Sequence, residues 1–154
     1  MIEFNSLLEI IKKNSSFLLT THVNPDADAI GSEIALYVVL KRLGKKIKII
    51  NTSETPYNLL FLDKDNIIER YDEEKHKNIF AEADVLIGLD HNRPDRTVRM
   101  NTGFLKSDKI KVCIDHHQDP QNAYDYFFVD TESSATGQII YDFIKKLLIC
   151  YFSS

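Results

Sequence analysis

The chain has 154 residues, of which 44% are apolar and 27% charged, and a formal net charge of -4. That length fits one domain with a core of its own, and the composition excludes disordered and fibrous classes. The acidic balance argues against a protein that tracks long duplex nucleic acid. Short oligonucleotides stay open, because metal ions supply positive charge locally.

In chain order, Ile2 to Lys13 carries Leu7, Leu8, Ile10 and Ile11 at the spacing of a short amphipathic helix with a basic end. Phe17 to Thr21 reads as a buried strand ending at His22. Ile30 to Leu43 places Ile34, Ala35, Tyr37, Val38, Leu40 and Leu43 at helical spacing, and Gly44 closes that helix. Ile47 to Ile50 is a second strand, Tyr57 to Leu62 a helical turn, and Ile67 and Ile68 a short strand. Val85 to Leu89 is a buried strand that delivers Asp90. Ile110 to Ile114 is another, delivering Asp115, His116 and His117. Tyr126 to Val129 reads as an edge strand, and Thr136 to Leu148 as a last helix with Ser133 or Ser134 as its cap. Helices alternate with strands, several of which are apolar on both faces. This predicts an α/β fold, a mostly parallel sheet flanked by helices, with no repeat or domain linker.

Cys113 and Cys150 have no framework spacing and read as buried thiols of a reducing cytosol. There is no signal-peptide pattern and no apolar stretch of membrane-spanning length. The expected location is cytoplasmic, without a membrane partner.

The chemistry is concentrated where strands end. His22, Asp26 and Asp28 surround Pro25, which biases Asn24 toward an extended conformation and gives the chain a defined exit from its strand. In a loop, Asp26 and Asp28 can face two different ions. The competing reading makes one of them a helix cap. Asp90 can bridge ions from the sheet edge, whereas His91, Arg93, Asp95 and Arg96 read as surface or ion-pair residues of a turn. Asp115, His116 and His117 follow a buried strand and have no evident packing role; adjacent histidines pointing apart would let one bind an ion while the other faces substrate. Asp and His together suit Mn²⁺ or Zn²⁺ with coordination positions left for water and phosphate oxygens. A phosphate loop, a Rossmann glycine fingerprint and zinc-finger cysteine pairs are all missing.

The run His22 to Gly31, then Asp90, then Asp115, His116 and His117, then Ser133 to Gly137, resembles the DHH phosphoesterase family, nearest the branch of nano-RNases and 3′-phosphoadenosine 5′-phosphate phosphatases. The similarity runs from about Leu7 to Lys146. It implies that His22 and Asp26 hold one Mn²⁺ and that Asp28 and His116 hold a second, with Asp90 bridging both. It also implies that His117 contacts the scissile phosphate or its leaving group, and that Asp115 orients a neighbouring histidine. The implied activity is two-metal hydrolysis of phosphodiester or phosphomonoester bonds in short oligoribonucleotides or nucleotide phosphates. Pyrophosphatase, exopolyphosphatase and cyclic-dinucleotide phosphodiesterase share these ligands.

Members of the family carry a further acidic ligand after the helix that begins near Thr136, and then a smaller substrate domain of the DHHA1 type. Neither has a counterpart before Ser154, and Asp130 precedes that helix. The expectation is a DHH domain over residues 1–154, incomplete at its C-terminus. The alternative function is a catalytically incompetent fragment that binds metal or a partner. An exposed sheet edge also suggests a homo-oligomer.

Overall fold

The strands are β1 (Ser16–Thr20), β2 (Lys46–Asn51), β3 (Ile68–Arg70), β4 (Val85–Leu89), β5 (Ile110–Asp115) and β6 (Tyr126–Val129). In the computed structural model, which describes residues 2–152, they form one sheet in the order β3-β2-β1-β4-β5-β6. Every neighbouring pair is parallel. The order reverses between β1 and β4, and a crevice at the carboxyl ends of the strands opens at such a reversal.

The helices are α1 (Asn5–Lys13), α2 (Ala27–Arg42), α3 (Ile79–Glu82), α4 (Asn101–Lys106) and α5 (Thr136–Phe152). Alternation along each strand divides the core between the two faces of the sheet. Leu19, Ile87 and Ile114 pack with α1, α2 and α5 through Leu7, Ile11, Leu36 and Phe143. Leu18, Leu86 and Cys113 pack on the other face with Ile79, Met100 and Phe104. Fully burying a phenylalanine such as Phe104 or Phe143 stabilises by roughly 1.5–3 kcal/mol.

Helix α2 is capped by Asp26, whose Oδ1 accepts from the amides of Asp28 and Ala29 at 3.0 and 3.1 Å. It stops at Gly44, which adopts φ 75°. The α/β class and the mostly parallel sheet agree with the sequence, and β6 is an edge strand as expected.

Several local expectations are corrected. The Tyr57 turn is a 3-10 helix ending at Leu59, and the short strand starts at Ile68. Helices α3 and α4, and the 3-10 segment Pro94–Met100, were not read from the sequence. Cys150 is exposed on α5, while Cys113 is buried; both are free thiols. Ser133 and Ser134 do not cap α5: its first amides, of Thr136 and Gly137, donate to Asp28 at 2.8 Å each. The hydroxyl and amide of Ser134 instead donate to Gln138 Oε1. Among the described residues no helix is long and apolar enough to cross a membrane.

Candidate metal centre

The sheet reversal places His22, just past β1, beside Asp90, just past β4. The His22 Nε2 to Asp90 Oδ2 distance is 3.4 Å, and both residues are buried. His22 Nδ1 lies 2.9 Å from the carbonyl of Val23. With the Nδ1 proton donated to that carbonyl, Nε2 faces the cleft: it donates to Asp90 in the imidazolium and offers a lone pair to a cation in the neutral ring. The hydrogen bond to Asp90 raises the His22 pKa; burial works against it. Asp26 reaches the same place with one oxygen spent on capping α2 and Oδ2 free. Donor atoms of His22, Asp26 and Asp90 all lie within 4.8 Å of one another.

A second group meets the first at Asp90. His116 Nε2 stands 3.7 Å from Asp90 Oδ1 and 3.7 Å from Asp28 Oδ2, and His117 Nδ1 stands 4.0 Å from Asp90 Oδ1. Asp90, His116 and His117 also bring donor atoms within 4.8 Å of one another. His117 Nδ1 is nearer to Asp115 Oδ1, at 2.7 Å, so its other ring nitrogen is the one presented outward. The two imidazoles thus converge on one carboxylate, with ring centroids 4.4 Å apart, where the sequence suggested that they point away from each other.

The backbone of Asp90 lies at φ 60°, a left-handed region that aspartate enters more readily than most residues, while its amide donates to Ile114. Burial pushes its carboxyl pKa up. Hydrogen bonds from His22 and from the Thr136 hydroxyl, at 2.8 Å, outweigh that and leave it below the ordinary value. Asp28 behaves oppositely. Burial, with the neighbouring Asp90 charge, raises its pKa despite the two α5 amides. Among the described residues no lysine or arginine forms an ion pair with Asp26, Asp28 or Asp90. Three clustered carboxylates without a lysine or arginine partner, an imidazole nitrogen of His22 turned toward them and an unbonded Asp26 oxygen fit a site for divalent cations.

Beside the donors lies a cavity of about 260 Å³ lined in part by Asn92, Arg93, Arg96 and Gln118. Asn92 donates to the carbonyls of His117 and Gln118 at 3.0 and 2.9 Å, which pins the loop after β5. Arg93 pairs with Asp95 at 2.8 Å, as the turn reading expected. His91 does not follow that reading. It is buried, with Nδ1 3.0 Å from the Arg93 carbonyl and 3.3 Å from the Tyr124 hydroxyl. Burial lowers its pKa to about 4.

The sequence of the DHH family, N-terminal domain, matches residues 16–152. This chain belongs to the DHH family. The DHH domain is 35% identical over 130 residues to the bifunctional oligoribonuclease and PAP phosphatase NrnA of Thermus thermophilus, an alignment covering 84% of this chain and 36% of that protein. It is 29% identical to the probable NrnA of Streptococcus mutans, covering 93% of this chain and 43% of that one. The chain therefore spans less than half the length of these curated relatives. Among solved structures, an exopolyphosphatase-related protein from Bacteroides fragilis superposes with a TM-score of 0.89 at 27% identity, over 94% of this chain and 43% of that one. Exonuclease RecJ bound to manganese shares the fold, with a TM-score of 0.59 at 13% identity over 96% of this chain and 37% of that chain.

The fold brings together all seven residues singled out in the sequence: His22, Asp26, Asp28, Asp90, Asp115, His116 and His117. Sequence reasoning missed the grip of Asn92 on the histidine loop, since asparagine in a turn signals only the turn. It also undervalued Thr136 and Gly137. Their position at a helix start was legible, but not the carboxylates they would meet.

Proposed function

We propose that this DHH domain is a Mn²⁺-dependent phosphoesterase unit acting on short oligoribonucleotides or 3′-phosphoadenosine 5′-phosphate. The observation that carries this reading is the convergence of two donor groups on the single buried carboxylate of Asp90. In the proposed arrangement His22 and Asp26 would hold one cation and Asp28 and His116 the other, with Asp90 common to both groups. Two bound divalent cations supply Lewis-acid polarisation of the phosphoryl group and activation of a water molecule.

The chain's own groups do the rest. Val23 and Ser133 carbonyls sit beside Nδ1 of His22 and His116, at 2.9 and 3.3 Å, and direct each Nε2 inward. Asp115 holds His117 through Nδ1, so that the outward nitrogen of the imidazolium would donate a hydrogen bond to the phosphoryl or leaving oxygen. Asn92 fixes the height of that loop. Arg93 and Arg96 add positive charge along the cavity, where a substrate phosphate would lie.

The names of the two NrnA relatives favour these substrates. A second reading, hydrolysis of inorganic polyphosphate or pyrophosphate, draws on the Bacteroides neighbour. Incubation with Mn²⁺ and a labelled RNA dinucleotide tests the first: mononucleotide is released, and Asp90→Asn abolishes both release and Mn²⁺ binding. Polyphosphate cleavage without dinucleotide cleavage selects the second. Cation binding with no hydrolysis of either makes the domain a metal-binding fragment, and hydrolysis by Asp90→Asn at the wild-type rate refutes the assignment.

A further inference from the structure

Beneath the cleft, three strand ends are tied together by side chains outside the donor groups. Glu33, on α2, is fully buried, and its Oε2 accepts a hydrogen bond from Asn51 Nδ2 at 2.8 Å. The Oδ1 of that same amide accepts from the backbone N–H of Thr21 at 3.0 Å. Thr21 in turn donates its hydroxyl to the carbonyl of Leu89 at 2.7 Å. Asn51 ends β2, Thr21 follows β1 and Leu89 ends β4, so the chain of hydrogen bonds runs from α2 across neighbouring strands. Thr21 and Leu89 immediately precede His22 and Asp90.

The direction of each bond is fixed by chemistry. The Thr21 N–H only donates, so it must meet Oδ1 of Asn51; Nδ2 then points at Glu33, which has to accept. A carboxylate, a neutral carboxyl or a glutamine amide meets that demand, whereas an apolar side chain does not. Packing alone gives no account of an acid at this position. Burial drives the Glu33 pKa up to about 8, against the Asn51 hydrogen bond and the charge of His22. Its second oxygen has no partner among the described residues. Meanwhile Asp90 keeps a positive φ, so its carboxylate direction depends on the backbone that precedes it.

We propose that Glu33 and Asn51 are positioning residues of the metal centre. Their brace sets the peptide planes ahead of His22 and Asp90 and so fixes the imidazole–carboxylate pair that would share a cation. The proposal rests on the metal-centre reading above.

Mn²⁺ binding by the wild-type chain, Glu33→Met, Glu33→Gln and Asn51→Ala, measured by calorimetry and by the electron paramagnetic resonance of free Mn²⁺, tests it. A thermal melt of each variant places the binding measurement well below unfolding. Glu33→Met and Asn51→Ala should weaken binding about tenfold, the effect usual for support of a ligating histidine. Glu33→Gln should stay near wild type because it still accepts. The double variant should bind no more weakly than either single one.

Lower melting temperatures with unchanged Mn²⁺ affinity would leave the brace a purely structural feature and overturn the proposal. Equal losses in Glu33→Gln and Glu33→Met would also overturn it, since charge and not hydrogen bonding would then matter. If Glu33→Met does not fold, Thr21→Val, of the same shape, breaks the link to Leu89 and should weaken binding in the same way. A wild-type chain that binds no Mn²⁺ fails the metal-centre reading itself, and the brace with it.

Discussion

Replacing Thr136 by valine keeps the shape of the side chain and removes one donor. That donor meets Asp90 Oδ1 at 2.8 Å, in a place where Asp90 is only 2% exposed and Thr136 fully buried. Water cannot take over the bond, so the loss is that of a hydrogen bond to a buried charge, roughly 1.5–3 kcal/mol. For a domain of this size each kcal/mol moves the melting temperature by about 2–4 °C, which gives a fall of roughly 3–12 °C at pH 7. The pH dependence follows from the direction of the Asp90 shift. Burial raises the carboxyl pKa, but the His22 and Thr136 hydrogen bonds bring it below its ordinary value. A depressed acid contributes stability that is present above the unfolded pKa of about 3.9 and lost as pH falls through the folded value. Thr136→Val raises the folded value, so its deficit is complete at neutral pH and narrows once the carboxyl protonates. Circular-dichroism melts at pH 7 and at steps down to about pH 4 measure this, with Thr136→Ser as the variant that keeps the hydroxyl. A valine variant that melts with the wild type at pH 7, or whose deficit does not narrow in acid, refutes the reasoning.

Gly137→Ala puts a Cβ 3.1 Å from Asp28 Oδ1, so the carboxylate has to give way by a few tenths of an ångström. Titration of Mn²⁺ should show weaker binding with little change in the melt, because alanine also favours helix α5. Gly88→Ala places a Cβ 2.9 Å from the Tyr124 hydroxyl and 3.2 Å from His91 Nε2. Overpacking of this kind costs about 1–3 kcal/mol, measurable by urea denaturation. The raised pKa of Glu33, at about 8, makes its contribution to stability complete below the unfolded glutamate value and progressively lost as pH rises toward the folded one. Glu33→Gln should therefore flatten the decline of wild-type stability between about pH 5 and 8, as read from denaturation midpoints across that range.

The architecture was legible because the strands announce themselves. Val85 to Leu89 and Val112 to Ile114 are apolar on both faces, as a covered parallel strand requires. The site was legible for a related reason. Asp90 and Asp115 end such runs, where an unpaired charge has no business in the core, and His22 follows another. What could not be read is long-range pairing. Asp26 proved to cap α2 while keeping an oxygen free, so the cap and ligand readings set against each other are compatible in one side chain. Asp28 caps α5, 108 residues away from Thr136, and nothing local to Ser133 or Ser134 signals that their helix is capped from elsewhere. The helical segments between Pro94 and Lys106 were missed because Thr97, Arg99, Asn101 and Gly103 break any apolar period there.

These long-range bonds connect the stability of the fold to the geometry of the cleft. Helix α5 packs on the sheet through Ile140, Phe143 and Leu147, so its N-terminus arrives at a fixed height above β5. From that height the Thr136 and Gly137 amides hold Asp28, and the Thr136 hydroxyl holds Asp90. On the opposite side of the sheet reversal, the Asn51 and Thr21 contacts approach the same carboxylate through Leu89. Asp90 is thus braced from both halves of the doubly wound sheet while carrying a left-handed backbone and a buried charge. Neither half alone supplies that support. The donor groups consequently belong to the intact sheet, and perturbations that separate α5 from β5 should disorder the candidate metal centre before they unfold the core around β1 and β4.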